Sequence, residues 1–152
     1  MAKIHITSIC ILLLVLGCAP SDRQYTNQME ALHQEWDYLV AEIAQNESLD
    51  LDSSFDEWLS NINNLRPPRT LAFEHKIYLS VHQDFVAIFR TMRDQYAEEL
   101  VLGNIANCYL SSNQMSDAFK ESCNLFLKAQ QDVMYVRIHW TWDLLKLESS
   151  TQ

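Results

Sequence analysis

The stretch that decides the fold is Tyr25-Thr26-Asn27-Gln28-Met29-Glu30-Ala31-Leu32-His33-Gln34-Glu35-Trp36-Asp37-Tyr38-Leu39-Val40-Ala41-Glu42-Ile43. Its large apolar residues, Tyr25, Met29, Leu32, Trp36, Leu39 and Ile43, are separated by 4, 3, 4, 3 and 4 residues. Steps of three and four keep side chains on one face of an α-helix, as in a packed helical seam. A strand would need alternation by two. The pattern predicts a helix over about 22–46.

The same period continues downstream. Ser54-Phe55-Asp56-Glu57 has the form of a capping box. Phe55, Trp58, Leu59, Ile62 and Leu65 then give an apolar face to a short helix over about 54–65. Pro67-Pro68 stops that helix and can open the next, because proline is tolerated in a first helical turn. A third helix is predicted over about 68–102, with a broad face of Leu71, Phe73, Ile77, Tyr78, Val81, Phe85, Ile88, Phe89, Met92 and Tyr96. Gly103 and Asn104 suit its C-terminal cap. Residues 104–115 read as a connection, with a short helix around Ile105–Leu110. A fourth helix starts near Ser116 and runs to about 148 on a stripe of Phe119, Ser122/Cys123, Phe126, Ala129, Val133, Val136, Trp140, Leu144 and Leu147. Val136, Ile138, Trp140 and Trp142 also alternate like a strand, but no second strand is present to pair with them.

Composition agrees with helices. The 152 residues contain 2 glycines and 3 prolines, with 48% hydrophobic and 20% charged residues. Phosphate cradles of the Rossmann, P-loop and kinase types need clustered glycines that this chain lacks. Sandwiches and barrels need many tight turns, and the hydrophobic content is too high for disorder. The expected fold is all-α, an up-and-down bundle of about four helices in one domain. Eleven Lys+Arg against 20 Asp+Glu give a net charge of −9. Such a surface disfavours nucleic acid, whose binding depends on cationic neutralisation of phosphates. It equally disfavours a peripheral contact with anionic lipid.

Ahead of the first helix, Lys3 precedes an apolar run from Ile6 to Leu16. Eleven residues suit the core of a signal peptide, whereas a spanning helix needs about 20. The run ends in Val15-Leu16-Gly17-Cys18, which resembles the lipobox of bacterial lipoproteins: an aliphatic residue, a tolerant position, a small residue, then cysteine. The resemblance implies diacylglycerol on the Cys18 thiol, cleavage before Cys18 and acylation of the freed amine. Residues 1–17 would be the signal peptide, 18–23 the lipidated cysteine and tether, 24–148 the bundle and 149–152 a tail. Ala19, a residue other than aspartate after the cysteine, implies outer-membrane sorting, with the protein facing the periplasm.

Two further cysteines, Cys108 and Cys123, are expected to pair in an oxidising compartment. Two buried free thiols, or a redox or metal role, are the alternatives.

Candidate chemistry is sparse. Glu30-Ala31-Leu32-His33 has the Glu-x-x-His spacing of ferritin-like di-iron bundles, but no second copy occurs. Asp50, Asp52, Ser54 and Asp56 imitate the first half of an EF-hand loop, yet Phe55 stands where glycine is required and Asn61 where glutamate is. No Gly-x-Ser-x-Gly and no nucleophile–base set is present. Glu98 and Glu99 point about 100° apart on a helix and read as a solvated face. No metal, no cofactor and no enzymatic activity are expected. His75, Tyr78 and His82 are candidate ligand-holding residues, possible neighbours of His33 or His139, although histidines at the bundle edge are the simpler expectation. Tyr135, Arg137 and Trp142 are candidate partner contacts, because tyrosine, arginine and tryptophan are enriched at binding hot spots. The leading functional expectation is a non-enzymatic, lipid-anchored envelope protein that holds a protein partner near the membrane, of pilotin or scaffold type. A small-ligand or metal sensor and a purely structural envelope protein are the alternatives.

Overall fold

The computed structural model describes residues 22–45, 51–96, 108 and 116–149. The lipobox, Gly103 and Asn104, the expected short helix around Ile105–Leu110 apart from Cys108, and the tail beyond Ser149 lie outside the described residues. The fold is an all-α bundle: α1 (Asp22–Gln45), α2 (Leu51–Asn64), a 3₁₀ turn (Arg69–Leu71), α3 (Ala72–Gln95) and α4 (Asp117–Ser149). Ring contacts give its direction. Trp36 of α1 meets Phe55 and Trp58 of α2 and Phe85 of α3, while Tyr25 meets His75 of α3 and Trp140 of α4. Phe126 of α4 packs on Phe85 and Phe89. So α1 and α3 run one way, and α2 and α4 run back. One end of the bundle gathers the start of α1, the turn before α3 and the end of α4.

All six residues of the α1 stripe are buried. Their layer is rich in rings, with Trp36 and Trp58 centroids 4.5 Å apart. Trp58 Nε1–H donates to the Leu32 carbonyl over 2.8 Å, so the indole adds no orphan donor to the core. The α4 stripe is also buried from Phe119 to Leu144, with Val136 half-buried. At its start Ser116 Oγ accepts from the Phe119 N–H over 3.1 Å, an N-cap bond that satisfies one of the free donors of the first turn.

Three sequence expectations are corrected. The second helix begins at Leu51, so Ser54 lies inside it and caps nothing. Leu51 packs against the core. Asp52 anchors that first turn by ion pairs to Arg90 (2.8 Å) and Arg93 (2.9 Å) of α3. The third helix opens with a 3₁₀ turn closed by the Leu71 N–H on the Pro68 carbonyl, and α geometry starts at Ala72. Third, Phe73 and Ile77 are 70% and 42% exposed, whereas His75 and His82 are buried. The seam of α3 is therefore His75, Tyr78, His82, Phe85, Phe89 and Met92, and it turns the apolar pair outward.

Cys108 and Cys123 form a disulfide with Cα atoms 5.0 Å apart. It fastens the connection before α4 to the buried side of that helix.

Candidate functional site

Two features of the bundle have chemical content beyond packing. The first is a polar junction inside the α1–α3–α4 contact. The Tyr25 hydroxyl and His75 Nδ1 are 2.8 Å apart and buried. Phenol and imidazole share one hydrogen across this contact. The tautomer of His82 is fixed, because a carbonyl can only accept. Its Nδ1–H donates to the Tyr78 carbonyl over 2.7 Å, which leaves Nε2 as an unprotonated acceptor. Tyr78 stacks with two imidazoles, His82 at 4.2 Å and His33 at 5.5 Å between centroids. The candidate trio His75, Tyr78 and His82 thus occupies the core rather than the bundle edge, and His33 joins it from α1.

Burial controls the charge of this junction. It pushes His82 down to about 3. His33 is lowered to about 4, first by burial and then by the neighbouring Arg137 guanidinium. His75 is lowered by burial, and the Tyr25 and Tyr78 hydroxyls are pushed well above the usual phenol range for the same reason. All five rings are neutral near pH 7. The Tyr78 hydroxyl, His82 Nε2 and His33 Nε2 are buried without a hydrogen-bond partner. Among the described residues no three His, Cys, Asp or Glu side chains converge to hold a metal ion. Glu30 is exposed, so it does not enter the junction with His33.

The second feature is the outer side of α4. Arg137 does not reach into solvent. It bridges to α1, with Nη1 and Nη2 on the two carboxylate oxygens of Asp37 and Nη2 also on the His33 carbonyl at 3.4 Å. The bidentate guanidinium holds the Asp37 carboxyl below its usual range. Tyr135 and Trp142, by contrast, are open. With Met134, Ile138 and Leu145 they form a stripe in which every residue is between 52% and 65% exposed. At about 100° per residue the five span an arc of about 100°, opposite the buried line through Val133, Trp140 and Leu144. Tyr135, Ile138, Trp142 and Leu145 follow steps of 3, 4 and 3, the spacing of a coiled-coil seam. α4 therefore carries two apolar seams, and the bundle covers one of them. His139 lies against Tyr135 at 4.2 Å between ring centroids, on the exposed side and away from the buried histidines.

Of the candidate partner contacts Tyr135, Arg137 and Trp142, the first and last are exposed and Arg137 is engaged by Asp37, while Met134, Ile138 and Leu145 escape sequence reasoning as neighbours of the exposed pair. The missed signal was the second 3-4-3 register in the same helix. A shallow depression of about 270 Å³ beside this stripe is lined by His33, Met134, Arg137, Ile138 and Thr141. It sets the exposed seam next to the edge of the polar junction. A separate groove of about 330 Å³ between α3 and α4 has Val81, Ile88 and Leu125 on its walls and Asp84, Lys128 and Asp132 among its lining residues. Comparison with known protein families, with curated proteins and with solved structures finds no match to this chain.

Proposed function

We propose that this chain is a lipid-anchored accessory protein of a bacterial envelope, non-enzymatic, which docks a helical protein partner on the outer side of α4. The observation that carries the docking role is the exposed seam Tyr135, Ile138, Trp142 and Leu145 with Met134 at its edge. Large apolar side chains in one contiguous stripe mark an interaction surface when isolated ones would not. Their 3-4-3 spacing fits a second helix better than a small ligand. Anchoring is supported by Val15-Leu16-Gly17-Cys18 and the short apolar run before it, and Ala19, a residue other than aspartate after the cysteine, favours the outer membrane, facing the periplasm. Among the described residues no helix is long and apolar enough to cross a membrane, so an attachment through Cys18 would come from its acyl chains.

The docking role is tested in cells by a photo-crosslinking residue at Tyr135, Ile138 or Trp142, with Glu57 on the exposed side of α2 as control. A discrete crosslinked species from the α4 positions and none from Glu57 is expected. No species from any of the three would refute it. Anchoring is tested separately. Cys18→Ala should leave an unprocessed, larger chain, and the intact mass of the natural mature chain should include the acyl groups.

One observation favours a second reading, a bundle that holds a small polar ligand at His75, Tyr78 and His82. The Tyr78 hydroxyl and the Nε2 atoms of His82 and His33 are buried and unpartnered. A small molecule with matching donors and acceptors would satisfy them. Native mass spectrometry of the freshly purified chain should then show a bound mass that Tyr78→Phe removes.

A further inference from the structure

The end of the bundle where α1 begins differs in charge from the rest. Tyr25 lies level with His75 and Trp140, so this end also holds the turn before α3 and the last turns of α4. Arg23, Arg66, Arg69 and Lys76 are exposed there, and Lys146 pairs with Asp143. The acids accompanying them among described side chains are Asp22, Glu74 and Asp143. The body of the bundle is strongly acidic, with Glu30, Glu35, Asp37, Glu57, Asp94 and Glu121 exposed on it.

Within this end, Arg66, Arg69, Phe73, Lys76 and Ile77 are all exposed and lie close in sequence. Phe73 and Ile77 are one helical turn apart on one face of α3, and Lys76 follows Phe73 by three positions. Arg69 precedes Phe73 by four residues, in the 3₁₀ turn that leads into the helix. Among the described residues none of the three cations makes an ion pair. An exposed phenylalanine with cations before and after it in the chain is suited to an interface that is apolar below and anionic at its surface. Chain geometry points to the same occupant. Only Ala19, Pro20 and Ser21 separate Cys18 from Asp22. Even fully extended, these steps span no more than about 14 Å, so a membrane-held Cys18 keeps this end of α1 against the headgroups.

We propose that Arg66, Arg69, Phe73, Lys76 and Ile77 form a lipid-contact face that docks the bundle end-on onto an anionic phospholipid surface. This deepens the anchoring reading and rests on it. The acyl chains supply attachment, and the face supplies orientation. Phe73 and Ile77 enter the headgroup layer, and the three cations bind phosphates around them. The acidic body is repelled by the same surface, so the molecule stands upright on this end. The overall negative charge, which disfavours lipid contact for the chain as a whole, is segregated away from the contact.

The test uses the full mature chain as the cell produces it, reconstituted in vesicles of phosphatidylethanolamine and phosphatidylglycerol, or of phosphatidylcholine alone. Phe73→Trp is the probe, and the brominated acyl chains of the lipid are the quencher. Quenching beyond the wild-type background is expected in the anionic vesicles, with slowed amide exchange over residues 65–77. Changing Arg66, Arg69 and Lys76 together to glutamate should cut that quenching at least about fivefold, while the urea midpoint confirms that the variant is folded. Equal quenching with and without bromine, and unchanged exchange at 65–77, would overturn the proposal. So would protection of 65–77 that appears only when another protein is added. Intact mass reports acylation independently. An unacylated chain that still shows the quenching would sink the anchor but not the face, and an acylated chain without it would sink the face alone.

Discussion

Arg137 and Asp37 lie 100 residues apart in sequence and close α4 onto α1 through a bidentate ion pair. The same guanidinium touches the His33 carbonyl. It thus caps the edge of the polar junction while its neighbours in sequence, Tyr135 and Ile138, face outward.

This geometry predicts a structural role for Arg137. Asp37 is 63% exposed, so the pair is worth about 0.5–1 kcal/mol. Arg137→Ala also loses the packing of its stem and should destabilise the fold by about 1–2 kcal/mol. A double-mutant cycle with Asp37→Asn, read from urea midpoints, should show coupling. If Arg137→Ala abolishes α4 crosslinking while Asp37→Asn leaves stability and crosslinking intact, Arg137 contacts the partner directly.

Trp140 and Trp142 are two residues apart and predict opposite phenotypes. Trp140 is 2% exposed and packs on Tyr25, His75 and Tyr78, whereas Trp142 is 61% exposed. Trp140→Ala should cost about 3–5 kcal/mol. Trp142→Ala should change stability by less than about 0.5 kcal/mol and weaken partner crosslinking. Equal effects of the two on thermal unfolding would contradict the two-seam description of α4.

Acid should destabilise the bundle before its carboxylates titrate. Unfolded histidine ionises near pH 6.5, whereas folded His33 and His82 resist protonation down to about 4 and about 3. As pH falls from 6.5 toward 4, the unfolded chain binds protons that the native core refuses. Stability is therefore complete above about pH 7 and declines by up to about 1.4 kcal/mol per pH unit for each such histidine. His75 adds in the same direction. Asp37 and Asp52, held low by Arg137 and by Arg93 with Arg90, contribute losses only below their ordinary range near 3.8. Urea midpoints that stay level from pH 7 to 4.5 would disprove this, and His82→Phe should flatten the profile.

Reducing the Cys108–Cys123 bond should cost stability through the unfolded state. Their sequence separation is 15, for which loop-closure entropy gives about 3 kcal/mol. Cys108→Ser with Cys123→Ser should lower the urea midpoint accordingly and retain the helical circular dichroism. A midpoint unaffected by reductant would show that the bond adds no net constraint.

The architecture was legible because helix period and apolar identity coincide in α1 and α4. All six α1 positions read from the 4-3-4-3-4 spacing are buried. α3 was misread in part, since apolar identity and core position separate there. His75, Tyr78, His82, Phe85, Phe89 and Met92 keep steps of 3, 4, 3, 4 and 3, a seam whose histidines were discounted as polar. The imidazoles are buried because backbone or phenol groups satisfy one nitrogen of each of the two. Phe73 and Ile77 have the chemistry of core residues but fall outside that seam. Neither the pairing of Arg137 with Asp37 nor the stacking of His33 on Tyr78 has a local signature, because each depends on which helices become neighbours.

The indoles divide unevenly. Trp36, Trp58 and Trp140 are enclosed, two of them against the neutral ring of His82, and Trp142 stands in solvent. The molecule therefore has two optical populations. One emits at short wavelength and is extinguished when acid converts the adjoining imidazole to imidazolium. The other emits at long wavelength, is open to aqueous quenchers and is shielded once the outer side of α4 is covered. Core protonation and surface docking should thus be separable by colour in the unlabelled protein.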